Sequence, residues 1–246
     1  MMNNDFFEFF LKPVFSKKDS LDVAFCIRNK MYSYSQLYDA VEQIWNVVKD
    51  LPEDLIGLYA TDDIRTYASI IALWCCGKTY IPLNPKQPKE RHIEVIESVG
   101  SHFILSADKK YNIDVESVNM VPTKEVLMDG YSRKESVEFS KVPESTLAYI
   151  IFTSGSTGKP KGVPITRGNV AAFIDSMNHI GLDITKEDKC LQPFDLTFDF
   201  SVSSYVIPLA KGASIYTIPQ KAIKFSYIAG LLEDYHLTVL QMVPSM

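Results

Sequence analysis

The chain has 246 residues, of which 46% are hydrophobic, and its formal net charge is −5. At roughly 150 residues per domain, this length corresponds to one large domain or two smaller ones. The 11 glycines and 13 prolines are near ordinary usage, which excludes a collagen-like or low-complexity chain. The acidic balance argues against a nucleic-acid partner, because it offers no basic footprint for phosphates.

The sequence gives indications of the cellular compartment and of metal binding. None of the four cysteines, at positions 26, 75, 76 and 190, has the CxxC spacing of a zinc site, and the four histidines are dispersed. We therefore predict neither a disulfide framework nor a protein-bound metal site. No apolar run approaches the roughly 20 residues of a membrane-spanning helix. These features predict a cytoplasmic protein with no membrane partner, and we expect the aromatic segment 6–11 to dock on the protein's own core.

Strand-like and helix-like segments alternate along the first half of the chain. The predicted elements there are a helix at 36–49 behind a Ser35 cap, a strand at 55–60, a helix from the cap Asp62 or Asp63 to Cys76, a strand at 80–83, a helix at 88–99 and a strand at 102–105. Residues 107–140 are rich in charged and small polar side chains, so we interpret them as a surface connection.

The alternation resumes after this connection. The predicted elements are a strand at 147–152, a helix at about 167–178, a strand near 190–191, a helix at 199–210, a strand at 214–217, a helix at 222–235 and a strand at 238–240. Repeated β–α alternation predicts an α/β fold with mainly parallel sheets. We divide it into a first lobe over 1–140, which includes the polar connection at about 107–140, and a second lobe over 141–246.

The segment Thr153–Gly162 stands apart, with four hydroxyls, three glycines and two lysines in ten residues. Glycines allow close approach to backbone N–H groups, and N–H groups, hydroxyls and lysines bind phosphate oxygens. The alternative is a flexible surface loop. A P-loop would need glycine where Thr153 stands and a hydroxyl where Pro160 stands, and GxGxxG is absent. The segment therefore predicts a phosphate loop outside these two classes.

The longer run Leu147–Val163 resembles the phosphate-loop signature of the adenylate-forming, AMP-binding enzymes. This superfamily includes acyl-CoA synthetases, luciferases and the adenylation domains of nonribosomal peptide synthetases. Weaker similarities follow in the family's order, at Tyr32–Leu37, Gly77–Pro85, Phe198–Ser201, Lys211–Tyr216 and Thr238–Ser245. The resemblance covers nearly the whole chain and implies the N-terminal core of that fold, in incomplete form.

The resemblance implies a reaction in which a carboxylate and ATP give an acyl-adenylate and pyrophosphate, followed by transfer of the acyl group to a thiol. The residues it places around the β- and γ-phosphates are Thr153, Ser154, Gly155, Ser156, Thr157, Gly158, Lys159 and Lys161. Thr157 and Lys159 would carry the catalytic role by steadying the leaving pyrophosphate. Mg²⁺ is expected to accompany ATP.

Three further residues concern the acid substrate. In the amino-acid-activating branch, an aspartate at the position of Asp199 pairs with the substrate ammonium, although Asp199 could equally be a helix N-cap. Phe200 and Ser203 match positions that line the side-chain pocket, and Phe200 would favour a small amino acid. Phe200 could instead pack in the core. The D-alanine-activating carrier-protein ligases therefore stay open beside peptide-synthetase modules.

Later motifs of the family, including a hinge and a C-terminal catalytic lysine, have no counterpart in this sequence. We expect the chain to be the N-terminal part of a longer enzyme and to be inactive alone. Its expected partners are an amino acid, a phosphopantetheinyl carrier protein and the missing C-terminal region of the same enzyme. The alternatives are an acyl- or aryl-acid coenzyme A ligase, where Asp199 is only a cap, and a non-catalytic fragment.

Overall fold

The computed structural model describes residues 6–108, 113, 118–123, 133, 136–154, 160–219 and 222–244. In chain order, the elements are a π-helical turn at Phe7–Leu11, α1 at Lys12–Phe15, β1 at Val23–Ile27, β2 at Lys30–Ser33, α2 at Tyr34–Val48, β3 at Leu55–Tyr59, α3 at Ile64–Cys75, β4 at Thr79–Leu83, α4 at Lys89–Ser98, β5 at Phe103–Ser106, β6 at Asn119–Pro122, β7 at Leu147–Ser154, β8 at Pro160–Thr166, α5 at Arg167–His179, β9 at Lys189–Gln192, α6 at Phe200–Lys211, β10 at Ser214–Thr217 and α7 at Lys224–Tyr235. This is the predicted α/β class.

The chain divides into two compact units that differ from the predicted lobes. The first unit combines residues up to Tyr38 with those from Ala171 onward, and the second runs from Asp39 to Val170. The predicted boundary near residue 140 followed composition. In the structure, β1 pairs in parallel with β10, so the start of the chain belongs with its later part.

The sheet of the first unit has the strand order β2-β1-β10-β9 in the described residues. Its strands are parallel except for the hairpin of β1 and β2, which the sequence analysis did not predict. The hairpin turn uses Arg28 and Asn29, both with positive φ, at 52° and 62°. A two-residue turn of this kind matches the twist of the flanking strands. The strand predicted at 238–240 is wrong, because only a single bridge from Val239 to Cys190 forms there.

Helix α6 contacts several other elements of the first unit. It packs on β9 and β10 and also contacts the π-helical turn and α1. The N-terminal aromatic residues Phe6 and Phe10 stack on each other at 5.5 Å and are 2% and 0% exposed. Their burial confirms the prediction that this segment docks on the protein's own core.

The sheet of the second unit has the order β6-β5-β3-β4-β7-β8 in the described residues, and every pair is parallel except β7 with β8. Helix α3 connects β3 to β4 and begins and ends as predicted. Asp63 caps it by accepting a hydrogen bond from the backbone N–H of Arg65 at 3.0 Å. Gly77 follows it with a φ of 77°, the left-handed conformation that glycine adopts most readily.

The polar connection in this unit contains the strand β6, which was not predicted. It pairs with β5 at the edge of the sheet. The adjacent thiols Cys75 and Cys76 are free, and Cys75, the last residue of the apolar helix α3, is fully buried. No helix in the described part of the chain combines the length and apolar character needed to cross a membrane.

Close packing at Gly57 provides a test of the sheet-to-helix contact in the second unit. A Cβ at Gly57 would lie 2.8 Å from Cδ1 of Ile96 and 2.9 Å from Cγ1 of Ile104. We expect Gly57→Ala to lower the free energy of unfolding by about 1–3 kcal/mol through overpacking. Gly230→Ala is the control, because a Cβ there meets nothing within 4 Å, and it should stabilise α7 by about 0.5–1 kcal/mol. Urea denaturation measures both, and equal effects would contradict the packing argument.

Candidate functional site

The predicted phosphate loop comprises the end of β7, the start of β8 and the residues 155–159 that connect them, which we call the hairpin tip. Thr153 pairs with Lys161, and Ser154 pairs with Pro160, at the ends of the two strands. The side chains of Thr153 and Lys161 are exposed, and the Thr153 hydroxyl donates to the Lys161 carbonyl at 3.4 Å. The structure thus brings these two predicted phosphate ligands together.

The remaining predicted phosphate ligands, Gly155, Ser156, Thr157, Gly158 and Lys159, lie outside the described residues. The strands beside them extend further than the sequence predicted. The first continues to Ser154, and an antiparallel strand begins at Pro160 where a loop was expected. The loop is therefore closed at its base by strand pairing.

Gly162 allows an aromatic ring to pack across the hairpin. It lies opposite Phe152, and a Cβ on it would be 3.0 Å from Cζ of that ring and from Cγ2 of Ile150. A glycine in a strand interior often marks such a close approach. The last glycine of the motif thus has a packing role in the strand, whatever its role toward phosphate.

Hydrogen bonds fix the start of the hairpin to helix α3 and strand β4. Trp74 Nε1 donates to the Ala148 carbonyl at 2.9 Å, and Thr79 Oγ1 donates to the Leu147 carbonyl at 2.9 Å. Arg167, directly after β8, donates from Nη2 to the Trp74 carbonyl at 2.7 Å. These contacts hold both strands of the hairpin at the end opposite the tip.

Arg167 was not singled out from the sequence. Its side chain is almost wholly buried, and its residue exposure is 3%. Burial lowers the pKa of Arg167 to about 10, while Cys75 and Glu144 act in the opposite direction. An arginine at this depth needs hydrogen-bond acceptors and a counter-charge. No local sequence signal reveals this, because its acceptor belongs to a helix far away in the chain.

Asp199 stands at the start of α6, in the first unit. Its Oδ1 accepts a hydrogen bond from the backbone N–H of Phe200 at 2.9 Å, as the capping interpretation predicts. The carboxylate is exposed. Within the described part of the chain, no lysine or arginine forms an ion pair with it. The geometry therefore leaves the negative charge open to a further cation.

Three phenylalanine rings cluster beside Asp199. The rings of Phe198 and Phe200 stack with centroids 5.7 Å apart, and Phe194 lies 5.8 Å and 5.9 Å from them. Phe200 is 47% exposed and Phe198 is 45% exposed. The alternative that Phe200 merely packs in the core is thus not what the structure shows. An exposed aromatic face lies next to the carboxylate.

Ser203 is held by a residue that the sequence analysis missed. Gln241 Nε2 donates to Ser203 Oγ at 2.5 Å, and Gln241 Oε1 lies 3.0 Å from Ser204 Oγ. The Ser203 hydroxyl in turn donates to the Phe200 carbonyl at 2.8 Å. Gln241 lies within the segment 238–245 that resembles the family, which was its only signal. It attaches that segment to the first turn of α6.

The predicted site residues thus divide between the units. Thr153, Ser154 and Lys161 belong to the second unit, and Asp199, Phe200 and Ser203 belong to the first. A cavity of about 400 Å³ in the first unit is lined by α7 and Asn29 and contains none of them. Among the described residues, no cluster of three histidine, cysteine, aspartate or glutamate side chains could hold a metal ion.

Comparison with known proteins decides the family. The model of the AMP-binding enzyme family matches residues 16–246. The chain belongs to this family. It is 29% identical to the delta-poly-L-ornithine synthetase of Acinetobacter baumannii (strain AB307-0294) over 89% of this chain and 16% of that protein. It is 35% identical to the ferrichrome siderophore peptide synthetase of Mycosarcoma maydis over 78% of this chain and 5% of that protein. This AMP-binding chain therefore spans a minor part of the length of these relatives.

Solved structures confirm the fold of this family member. The N-terminal subdomain of Klebsiella oxytoca NpsA superposes with a TM-score of 0.79 at 20% identity, over 94% of this chain and 60% of that one. The nonribosomal peptide synthetase FmoA3, in its form bound to alpha-methyl-L-serine-AMP, gives 0.81 at 22% identity, over 95% of this chain and 26% of that one. The predicted resemblance to adenylation domains is thereby confirmed at the level of family and fold.

Arg167 provides a test of the hairpin anchor. We expect Arg167→Met to lower the free energy of unfolding by about 3 kcal/mol, because it leaves the buried Trp74 carbonyl and the Glu144 charge without the guanidinium. Arg91→Met is the matched control, since Arg91 pairs with Glu94 at 3.4 Å near the surface and should cost under about 1 kcal/mol. Chemical denaturation measures both. Similar losses would show that Arg167 does not anchor the hairpin.

Proposed function

We propose that this chain supplies the phosphate loop and one wall of the acid pocket in an amino-acid adenylation enzyme. The enzyme activates an amino acid carboxylate with ATP, releases pyrophosphate and passes the aminoacyl group to the thiol of a phosphopantetheinyl carrier protein. Membership of the AMP-binding family supports adenylate formation. The observation that carries the amino-acid assignment is the exposed carboxylate of Asp199, which has no cationic partner in the described part of the chain.

The hairpin tip is the proposed site of the ATP phosphates. Thr153 offers an exposed hydroxyl and Lys161 an exposed ammonium at the two ends of the segment 155–159, which adds Lys159 and further hydroxyls. Donors fixed before the reaction stabilise charge that develops on the leaving pyrophosphate at little reorganisation cost. Mg²⁺ is proposed to enter with ATP as its counter-ion, with no ligand set from the described residues.

Asp199 is proposed to bind the α-ammonium of the substrate. A cation that leaves water for a pocket requires a counter-charge. The hydrogen bond to the Phe200 N–H uses Oδ1, so Oδ2 can face the ammonium. The helix N-terminus behind the carboxylate favours its negative charge. Capping and substrate binding are therefore compatible roles for one side chain.

The neighbouring side chains suggest a small or flat substrate. Phe200 lies next to Asp199 in sequence and presents its ring to the surface, which would narrow a pocket that opens there. Ser203, fixed by Gln241, adds a polar wall. These features support the D-alanine type of ligase as well as peptide-synthetase modules. An adenylation–PCP fusion of NpsA and ThdA is among the structures with this fold, which supports a carrier protein as the acceptor.

A second candidate is an aryl- or acyl-acid ligase that forms a coenzyme A thioester. Its support is specific, because Asp199 is already engaged as a cap and the stacked rings of Phe198 and Phe200 offer an aromatic face. The NpsA N-terminal subdomain that shares this fold was solved with 3-hydroxybenzoyl-AMSN. In this case the substrate would carry no amine, and the Asp199 charge would be dispensable.

Asp199→Asn separates the two candidates. Asparagine caps a helix about as well as aspartate but carries no charge, so the helix start is retained and only the counter-charge is lost. We expect kcat/KM for the preferred amino acid to fall about 10²-fold, because an ammonium would be left without its partner. The measurement is ATP–pyrophosphate exchange by the full product of the gene, with a panel of amino, aryl and fatty acids.

Asp199→Ala is the companion variant, because it removes the cap together with the charge. If the amino-acid assignment holds, kcat/KM for the preferred amino acid should fall equally in both variants. Only Asp199→Ala should also lower the free energy of unfolding measurably. If acids without an amine are the preferred substrates and Asp199→Asn is fully active on them, the aryl- or acyl-acid candidate replaces the amino-acid one.

The hairpin tip is tested by the double variant Thr157→Ala and Lys159→Ala. We expect adenylate formation to slow by roughly 10²-fold or more, because hydroxyl and ammonium donors to the leaving group are removed. Lys141→Ala is the control, since this exposed lysine lies before β7 and outside the motif. Pyrophosphate exchange at saturating ATP reports the effect. An exchange rate equal to that of the control would remove the tip from the mechanism.

A further inference from the structure

The N-terminal segment 6–17 is short but firmly packed. Phe10 is 0% exposed, Phe6 2%, Leu11 3% and Val14 6%. Nearly all of it precedes residue 16, where the family match begins. An appended segment with so many large apolar side chains buried is an integral part of the first unit's core.

The surface that this segment covers is α6. The π-helical turn and α1 contact α6, as do β9 and β10. Eight residues of α6 between Ser201 and Leu209 are buried, including Tyr205 at 1% and Val206 at 0%. A helix buried on most of its circumference requires contacts besides those with the sheet, and segment 6–17 supplies part of them.

Helix α6 depends on such packing because its own hydrogen-bond ladder is interrupted. Pro208 lies inside it and has no N–H to donate to the Ser204 carbonyl one turn earlier. The first turn of α6, which contains Phe200 and Ser203 directly after Asp199, lies on the far side of this break from the C-terminus. Tertiary contacts therefore have to fix the helix as a whole.

The last residue of the segment holds the C-terminal end of α6. Gly212 follows the helix with a φ of 76°, and the Lys17 side chain lies directly against it, where a Cβ would collide. The Lys17 ammonium is 5.6 Å from the centre of the Tyr34 ring, whose hydroxyl donates to the Ala213 carbonyl at 2.8 Å. The segment thus contacts both α6 itself and the glycine that ends it.

We infer that segment 6–17 is a positioning clamp for α6 and, through it, for the turn that carries Asp199, Phe200 and Ser203. This inference rests on the proposed function in one respect, namely that this turn faces the acid substrate. The clamp then sets the affinity for the acid while leaving the affinity for ATP unchanged, because the proposed phosphate ligands belong to the other unit.

Hydrogen exchange on the chain itself tests the clamp directly. In Phe10→Ala, the amides of α6 should exchange about ten-fold faster than in the unsubstituted chain, because a local opening of α6 becomes easier. Ile104→Ala is the matched control, since Ile104 is also 0% exposed but lies in β5 of the other unit. If Phe10→Ala accelerates hydrogen exchange in α6 no more than Ile104→Ala does, the clamp is refuted. Lys17→Ala, at the partly exposed end of the segment, gives the same comparison where Phe10→Ala fails to fold.

Steady-state pyrophosphate exchange then tests the positioning role. In Phe10→Ala or Lys17→Ala, the KM for the acid should rise about five- to ten-fold while the KM for ATP stays within about two-fold. Ile104→Ala should change neither. Faster hydrogen exchange in α6 with an unaltered KM for the acid would show that the clamp does not position the substrate site. If no acid supports pyrophosphate exchange by the unsubstituted enzyme, the proposed function fails, while the hydrogen-exchange experiment still tests the clamp.

Discussion

The parallel pairing of β1 with β10 is the contact on which the first unit depends. Phe25 and Cys26 of β1 lie opposite Ile215 and Tyr216 of β10, so the first strand of the chain completes a sheet whose other parallel strands come near its end. Parallel pairs need a connection that crosses back over the sheet. Here the whole second unit lies within that connection. Long-range pairing of this kind incurs loop-closure entropy before any contact forms, so the apolar burial around α6 has to offset it.

The two predicted binding regions are held by different physical means. The hairpin of β7 and β8 is held by regular strand pairing and by buried hydrogen bonds at the end opposite its tip, including that from Arg167 to the Trp74 carbonyl. The turn at Asp199 depends on packing around α6 and on the side chain of Gln241. Polar anchors fix direction because a buried donor without an acceptor is costly. Apolar packing fixes position with less directional preference. We therefore expect core substitutions to displace the turn at Asp199 more gradually than they displace the hairpin of β7 and β8.

Local signals in the sequence were sufficient for much of this structure. The cap at Asp63 and the glycine at position 77 defined the bounds of α3, because both effects depend only on neighbouring residues. The hairpin of β1 and β2 was missed, since Arg28 and Asn29 adopt positive φ without the glycine that usually marks such a turn. The edge strand β6 was missed because it has only four residues, ends in a proline and lies within a polar connection, so no alternating pattern marks it. Lobe boundaries failed to match the units for a non-local reason, the pairing of β1 with β10.

The candidate site shows the same division between local and distant information. The phosphate motif and Asp199 were found because each has a recognisable sequence around it. Arg167 and Gln241 were not, and the aromatic segment 6–11 was predicted to dock on the core without its partner α6 being identified, because each acts through a partner distant in sequence. Gln241 illustrates why this matters for function. Its amide holds Ser203 Oγ at 2.5 Å and lies 3.0 Å from Ser204 Oγ, so a residue near the end of the chain fixes the turn that follows Asp199. With segment 6–17 in contact with α6 and with the glycine that ends it, and Gln241 at its first turn, the helix is restrained at both ends. In the role proposed for Asp199, its carboxylate has to stay in place when the substrate ammonium arrives, and these two restraints on α6 would meet that requirement.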